Sequence, residues 1–219
     1  GLALNITSGI SEVLKKEKLA IFLEDDLIVS RNFLNYMNLN LSKYQKNKKV
    51  WHVSGFNFNL KINSKETQFF TRVANCWGWA TWSNRWKYFK KNPDEILNKW
   101  SKKKIEEFNF DDTYNFFSQI QRNQNKTLNS WAIFWYSTIF NKRGLCINPI
   151  KSKTKNIGIG KSATNTNKIE KILNSSVNNI DYEIIFSKII KENEKIFKFL
   201  KKSFKSLNNK NILKLFFKY

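Results

Sequence analysis

The chain has 219 residues with a formal net charge of +22, 41% hydrophobic and 16% aromatic residues, and one histidine and two cysteines. That length and apolar content suit one domain with a sizeable core and exclude a disordered chain. No run of eighteen apolar residues and no signal-peptide pattern occurs, which excludes a membrane-spanning helix.

Taken in chain order, residues 1 to about 16 predict a helix, with Ile6, Ile10, Val13 and Leu14 at helical spacing. "KLAIFLE" predicts a buried strand, because five apolar residues follow one another without polar alternation. Glu24, Asp25 and Asp26 end it. "SRNFLNYMNLNLSKYQKN" predicts an amphipathic helix capped by Ser30, and "VWHVSGF" a second strand that carries His52 as a strand residue rather than a base. Polar turns and short strands lead into a tryptophan-rich segment, either core or a platform for a sugar or base. "NSWAIFWYSTIFNKRG" predicts a helix capped by Asn129 or Ser130 and stopped at Gly144, and "LCINP" a short strand. "SKTKNIGIGKSATNTN" reads as a loop. Helix and strand alternating in this way predict an α/β fold with a mostly parallel sheet, whose ligands gather at the carboxyl ends of strands. Glu24, Asp25 and Asp26 stand at such an end.

Past about Lys168 helical periodicity returns without Gly or Pro, and from Lys195 to Tyr219 there are eight Lys and no acid. Phe197, Leu200, Phe204 and Leu207 form one stripe and Lys198, Lys201, Lys202 and Lys205 lie elsewhere. This is the pattern of a basic amphipathic helix that lies on an anionic membrane surface, or of a solvated helix packed on the domain by its Phe face. The high charge also invites a nucleic-acid reading. Lys greatly outnumbers Arg, however, and Arg is the residue that grips phosphate and reads bases by bidentate contacts. Nucleic acid is therefore not the expected partner. Cys76 and Cys146 fit no zinc spacing and read as buried core thiols.

A carboxylate cluster directly after an apolar strand suits a hard divalent cation, Mg²⁺ or Mn²⁺, held by one or two oxygens while a substrate diphosphate completes its shell. In an extended segment Glu24 and Asp26 point one way and Asp25 the other. The bland alternative is a solvated turn.

Taken together, "LAIFLEDD", "FLNYMN", "VSGF", "CWGWATW", "NSWAIFWY" and "NPIKSKTKNIG", in that order, resemble bacterial nucleotide-sugar glycosyltransferases of the GT-A type, akin in layout to the N-acetylglucosaminyltransferase I family. The resemblance covers about residues 1–165. It implies a Rossmann-like GT-A domain over 1–165, incomplete at its N-terminus because the nucleoside-binding units of such folds precede the metal strand, and a basic helical extension over 166–219. It further implies a hexosyl- or N-acetylhexosaminyltransferase of cell-surface polysaccharide synthesis. Such an enzyme would be cytoplasmic or peripheral on the inner face of the plasma membrane, touching it through 195–219. Its partners would be a nucleotide-sugar donor and a glycan or lipid-linked acceptor.

Residue by residue, Asp26 would be the direct ligand of Mn²⁺ or Mg²⁺, with Asp25 beside it and Glu24 and Asp25 at the donor. Trp77, Gly78 and Trp79 would lie beneath a sugar ring. Asn156, with Gly158 and Ser162, would meet the diphosphate or close over it. An inverting transferase also needs a base for the acceptor hydroxyl. No acid stands beside "NSWAIFW", where Asn129 occupies the convenient place, and the nearest candidates are Asp112 and Asp111. That departure keeps an inactive transferase homologue among the alternatives, beside a nucleic-acid-binding protein.

Overall fold

The structure, a computed structural model, describes residues 1–58, 65–158, 177 and 183–205. It is an α/β fold built on a mixed sheet. The five strands are β1 (Leu19–Phe22), β3 (Val50–Ser54), β4 (Gln68–Thr71), β5 (Trp79–Trp82) and β6 (Leu145–Pro149). They run in the spatial order β1-β5-β3-β6-β4. A separate two-stranded ribbon joins β2 (Leu27–Val29) to β7 (Thr154–Asn156).

The sheet is mostly antiparallel, contrary to the expectation from alternating helices and strands. Only β3 and β6 run parallel; β1 with β5, β3 with β5, and β4 with β6 are antiparallel. The parallel pair alone requires a long crossover. That crossover holds α3 (Ser83–Trp86), α4 (Pro93–Lys99), α5 (Lys102–Phe108), α6 (Phe117–Gln124) and α7 (Ala132–Asn141).

The continuous apolar run of β1 has a specific cause. Ala20 and Phe22 pack into the larger core, and Leu19 and Ile21 into the smaller one on the opposite face. Both faces are covered, although the strand lies at the sheet's edge. The smaller core is roofed by α2 (Phe33–Tyr44) through Phe33, Met37, Leu41 and Tyr44. The larger one holds α7, whose residues from Ala132 to Ile139 are all buried; such a helix is apolar all round because nothing leaves it a wet face. The N-terminal helix α1 (Leu2–Lys16) adds Ala3, Ile10 and Leu14 to the larger core.

Two caps differ from expectation. The N-cap of α2 is Asn32; Ser30 lies two residues earlier and donates its hydroxyl to Asn32 Oδ1 at 2.9 Å. The N-cap of α7 is Trp131, and its C-terminal turn is made by Arg143 at φ 51°, just before the expected stop.

The helical periodicity read from about Lys168 onward holds only in part: residues 183–193 form no helix, whereas α8 (Glu194–Lys205) is amphipathic as predicted, with Ile196, Phe197, Leu200 and Phe204 buried in the larger core. Of the two readings of this stripe, its described part follows the second: Phe197, Leu200 and Phe204 pack on the domain. Residues 206–219, the 165/166 boundary and Ser162 lie outside the described residues. No described helix is long and apolar enough to cross a membrane.

Candidate functional site

The acids sit in a tight turn between β1 and β2. The turn is closed by the amide of Leu27 donating to the carbonyl of Glu24 at 3.3 Å. Asp25 is exposed, while Glu24 and Asp26 are half-buried. What fixes Asp26 is the ribbon: β2 pairs antiparallel with β7, placing Leu27 opposite Asn156. The Asn156 amide donates to Asp26 Oδ2 at 3.1 Å, and the Ile157 amide to the Asp26 carbonyl at 2.9 Å. The Gly158 amide in turn donates to Asn156 Oδ1 at 2.8 Å, orienting the side-chain amide. A Cβ on Gly158 would stand 2.5 Å from Asp26 Oδ2, so a side chain here would displace the Asp26 carboxylate.

Asp26 Oδ1 is buried without a hydrogen-bond partner among the described residues. A carboxylate oxygen removed from water and left unpaired costs free energy. A cation at this oxygen would relieve that cost, and the donor chemistry fits a hard divalent ion. No three His, Cys, Asp or Glu side chains converge as a metal cage among the described residues.

Beneath the turn lie the residues expected to carry a sugar, and their placement corrects that expectation. All eight tryptophans are buried, Trp77 at 3% and Trp79 at 2% exposure. The Trp79 ring stacks on His52 at 5.2 Å and lies 4.8 Å from Phe22, and the Trp77 ring meets Phe56 edge-on. Neither ring offers a face to a ligand. Their polar backbone is used instead: Thr154 Oγ1 donates to the Trp77 carbonyl at 2.8 Å, tying β7 to this floor. Gly78 has φ +71°, and an added Cβ would meet Thr154 Cγ2 at 2.7 Å and Leu23 Cδ2 at 3.2 Å. The close approach is made by the protein's own acidic turn and ribbon, where the resemblance implied a sugar.

Lys153 was not visible in sequence as a site residue, since a lysine in a Ser/Thr-rich stretch reads as solvated. It is 1% exposed and its Nζ donates to Asn32 Oδ1 at 2.9 Å. Its amide donates to the Gly55 carbonyl at 2.7 Å and its carbonyl accepts from the Ser30 amide at 2.8 Å. It thereby pins the entry of α2 and the end of β3 behind the ribbon.

The two candidate bases lie elsewhere. Phe110, Asp111 and Asp112 have φ of 63°, 51° and 58°, three left-handed residues in succession. Asp111 accepts from Arg72 Nη1 at 3.1 Å and from Lys201 Nζ at 2.7 Å. Arg72 follows β4, the sheet edge opposite β1, four strand spacings or roughly 19 Å away across the sheet. The structure does not bring Asp111 to Asp26, and Asp112 is exposed in the same turn. Asp111 belongs to an ion-pair cluster completed by Glu192, whose carboxylate accepts from Arg72 Nη2 at 2.6 Å and Nε at 3.0 Å.

His52 is buried and no base either. Trp135 Nε1 donates to its Nδ1 at 3.2 Å and its Nε2 lies 2.9 Å from the Asn75 carbonyl, so the neutral ring carries its proton on Nε2. Burial pushes its pKa down to about 3, against the Asn75 hydrogen bond that pulls it up. The buried thiols of Cys76 and Cys146 are free, and desolvation raises both well above the ordinary thiol range.

No protein-family model matches this chain. No curated protein matches it either.

Proposed function

We propose that the protein is a metal-dependent transferase that uses a nucleotide-sugar donor. The observation that carries this reading is the buried, unpaired Oδ1 of Asp26 at the carboxyl end of β1, in a carboxylate aligned by Asn156. Asp26 would hold Mn²⁺ or Mg²⁺, with Asp25 on the solvent side of the same turn and Glu24 beside it. The ion, when bound, would stabilise the charge that develops on a departing nucleoside diphosphate.

The chain's own residues do the positioning. Asn156 holds Oδ2 so that Oδ1 keeps one direction, Gly158 holds Asn156, and the Thr154 hydroxyl fixes the ribbon to the floor at Trp77. The acceptor would be a glycan or lipid-linked saccharide. Burial of every tryptophan removes the stacking platform on which a nucleic-acid reading would rest.

The test is donor hydrolysis by the full-length protein with Mn²⁺ across a panel of nucleotide sugars, beside Mn²⁺ titration of the protein alone. Wild type is expected to bind Mn²⁺ and hydrolyse at least one donor, and Asp26→Asn to lose both by a hundredfold or more on the scale of a removed charge-assisted contact, about 3 kcal/mol. Turnover equal in wild type and Asp26→Asn would defeat the reading.

A further inference from the structure

We propose that the groove between β4 and the segment 183–199 docks this protein on an anionic lipid bilayer. The surface differs from the one the sequence pattern names, because the Phe stripe of α8 is spent on the core. It is independent of the transferase reading.

The segment Glu183–Ile190 is apolar on two sides. Ile184, Phe186 and Ile190 turn inward against the smaller core. Ile185 and Ile189 turn outward and are 54% and 63% exposed. Ile185 is held in place: its amide donates to Thr67 Oγ1 at 2.9 Å. Across the groove α8 contributes Phe199, 40% exposed although its neighbours Phe197 and Leu200 are buried. The groove these side chains line has a volume of about 930 Å³. Three aliphatic or aromatic side chains held in water around one groove form an apolar patch of the kind that marks an interaction surface.

The charge around that patch identifies the occupant. Lys188, Lys191 and Lys195 line the same groove and are exposed. Lys198 and Lys202 lie three and seven residues past Lys195 on α8, on the same helical side, and are exposed too. None of these five lysines forms an ion pair among the described residues. Of the acids in the groove, Glu192 is neutralised by Arg72, which leaves Glu66 and Glu194, with the exposed Glu183 at the start of the segment, against the five. Apolar side chains encircled by unpaired lysines match a leaflet of anionic headgroups: the isoleucines and Phe199 enter the acyl boundary while the ammonium groups meet phosphate. A nucleic acid would take the lysines but gives two exposed isoleucines nothing to pack on.

The experiment is co-sedimentation of the full chain with phosphatidylcholine vesicles made with and without phosphatidylglycerol. Wild type is expected to sediment with the anionic vesicles, to stay in solution with the neutral ones, and to be released as salt is raised. Lys188→Glu with Lys191→Glu and Lys195→Glu should lower the affinity on the order of a hundredfold. Ile185→Ser with Ile189→Ser should lower it severalfold, with the thermal midpoint unchanged. The milder Lys188→Gln with Lys191→Gln serves if the charge reversal impairs folding. Lys210→Glu with Lys214→Glu and Lys218→Glu should still bind. The proposal is overturned if wild type ignores anionic vesicles, if the groove variants bind as wild type, or if the tail variant alone abolishes binding. It is overturned equally if an oligonucleotide displaces the vesicles and binds the isoleucine variant as tightly as wild type.

Discussion

Gly78, beside the acidic turn, is constrained both by its backbone conformation and by its neighbours. Its positive φ and the 2.7 Å approach of Thr154 Cγ2 to an added Cβ act together. Gly78→Ala is expected to destabilise the fold by about 1–3 kcal/mol through backbone strain and the displaced ribbon, read as a lowered denaturant midpoint; Mn²⁺ affinity should fall with it, since Thr154 and Asn156 share a strand. An unchanged midpoint would show that the ribbon gives way freely. His52 gives the second prediction at this scale. Its folded pKa is depressed to about 3 from 6.5, so between those values the unfolded chain binds a proton that the folded chain does not. Stability therefore rises with pH across that window and is lost as pH falls through it, by up to about 4 kcal/mol. His52→Gln, less stable at neutral pH for want of its two hydrogen bonds, should show a slope of stability against pH flatter by about 1.4 kcal/mol per unit between pH 4 and 6. Urea unfolding at several pH values measures it, and parallel slopes would contradict it.

At the scale of elements, the packing of α8 joins what the sequence divided. Phe204 meets Phe58 at 5.0 Å and Phe110 at 5.7 Å, and Lys201 reaches the Asp111 carboxylate that Arg72 also holds. Phe204→Ala is expected to cost about 3–5 kcal/mol as a large core truncation. Asp111→Asn, in a half-exposed cluster, should cost about 1 kcal/mol or less and speed amide exchange in α8 while sparing donor hydrolysis. Loss of hydrolysis without a change in exchange would return Asp111 to the chemistry.

The long periodic elements were legible: α1, α2, α7, β3, β6 and α8 lie where hydrophobic spacing puts them. The errors have physical causes. A continuous apolar run reports that both faces of a strand are covered and says nothing of its neighbours, so β1 read as a buried strand of a mostly parallel sheet although it is an antiparallel edge. The ribbon strands β2 and β7 are three residues each, too short for any period, and they are what builds the site. Asp26 stood out by residue type and Asn156 through the resemblance, but their contact is set by register between segments far apart in sequence. The tryptophans were conspicuous by number, which does not distinguish a ring laid open to a ligand from one enclosed.

For the whole molecule, the sheet is a partition between two cores, the chain carries a net charge of +22, and among the described residues only Arg85 and Lys153 are buried with a charge. Self-repulsion of that size opposes compaction and is screened by salt. The unfolding midpoint is therefore expected to rise as sodium chloride is raised from low to moderate concentration, despite the weakening of the Arg72, Asp111 and Glu192 cluster; a falling midpoint would mean that local ion pairs outweigh the net charge.

The ribbon also has a consequence in time. Leu27 and Asn156 are paired partners 129 positions apart (156 − 27), and a ribosome adding about 5–20 residues per second separates their synthesis by roughly 6–25 s. Throughout that interval the nascent acidic turn has neither the Asn156 amide nor the Ile157 backbone to shape it. The aligned carboxylate is thus a property only of a chain finished past this point, and a prematurely terminated product would present three acids with only the local Leu27–Glu24 turn to order them.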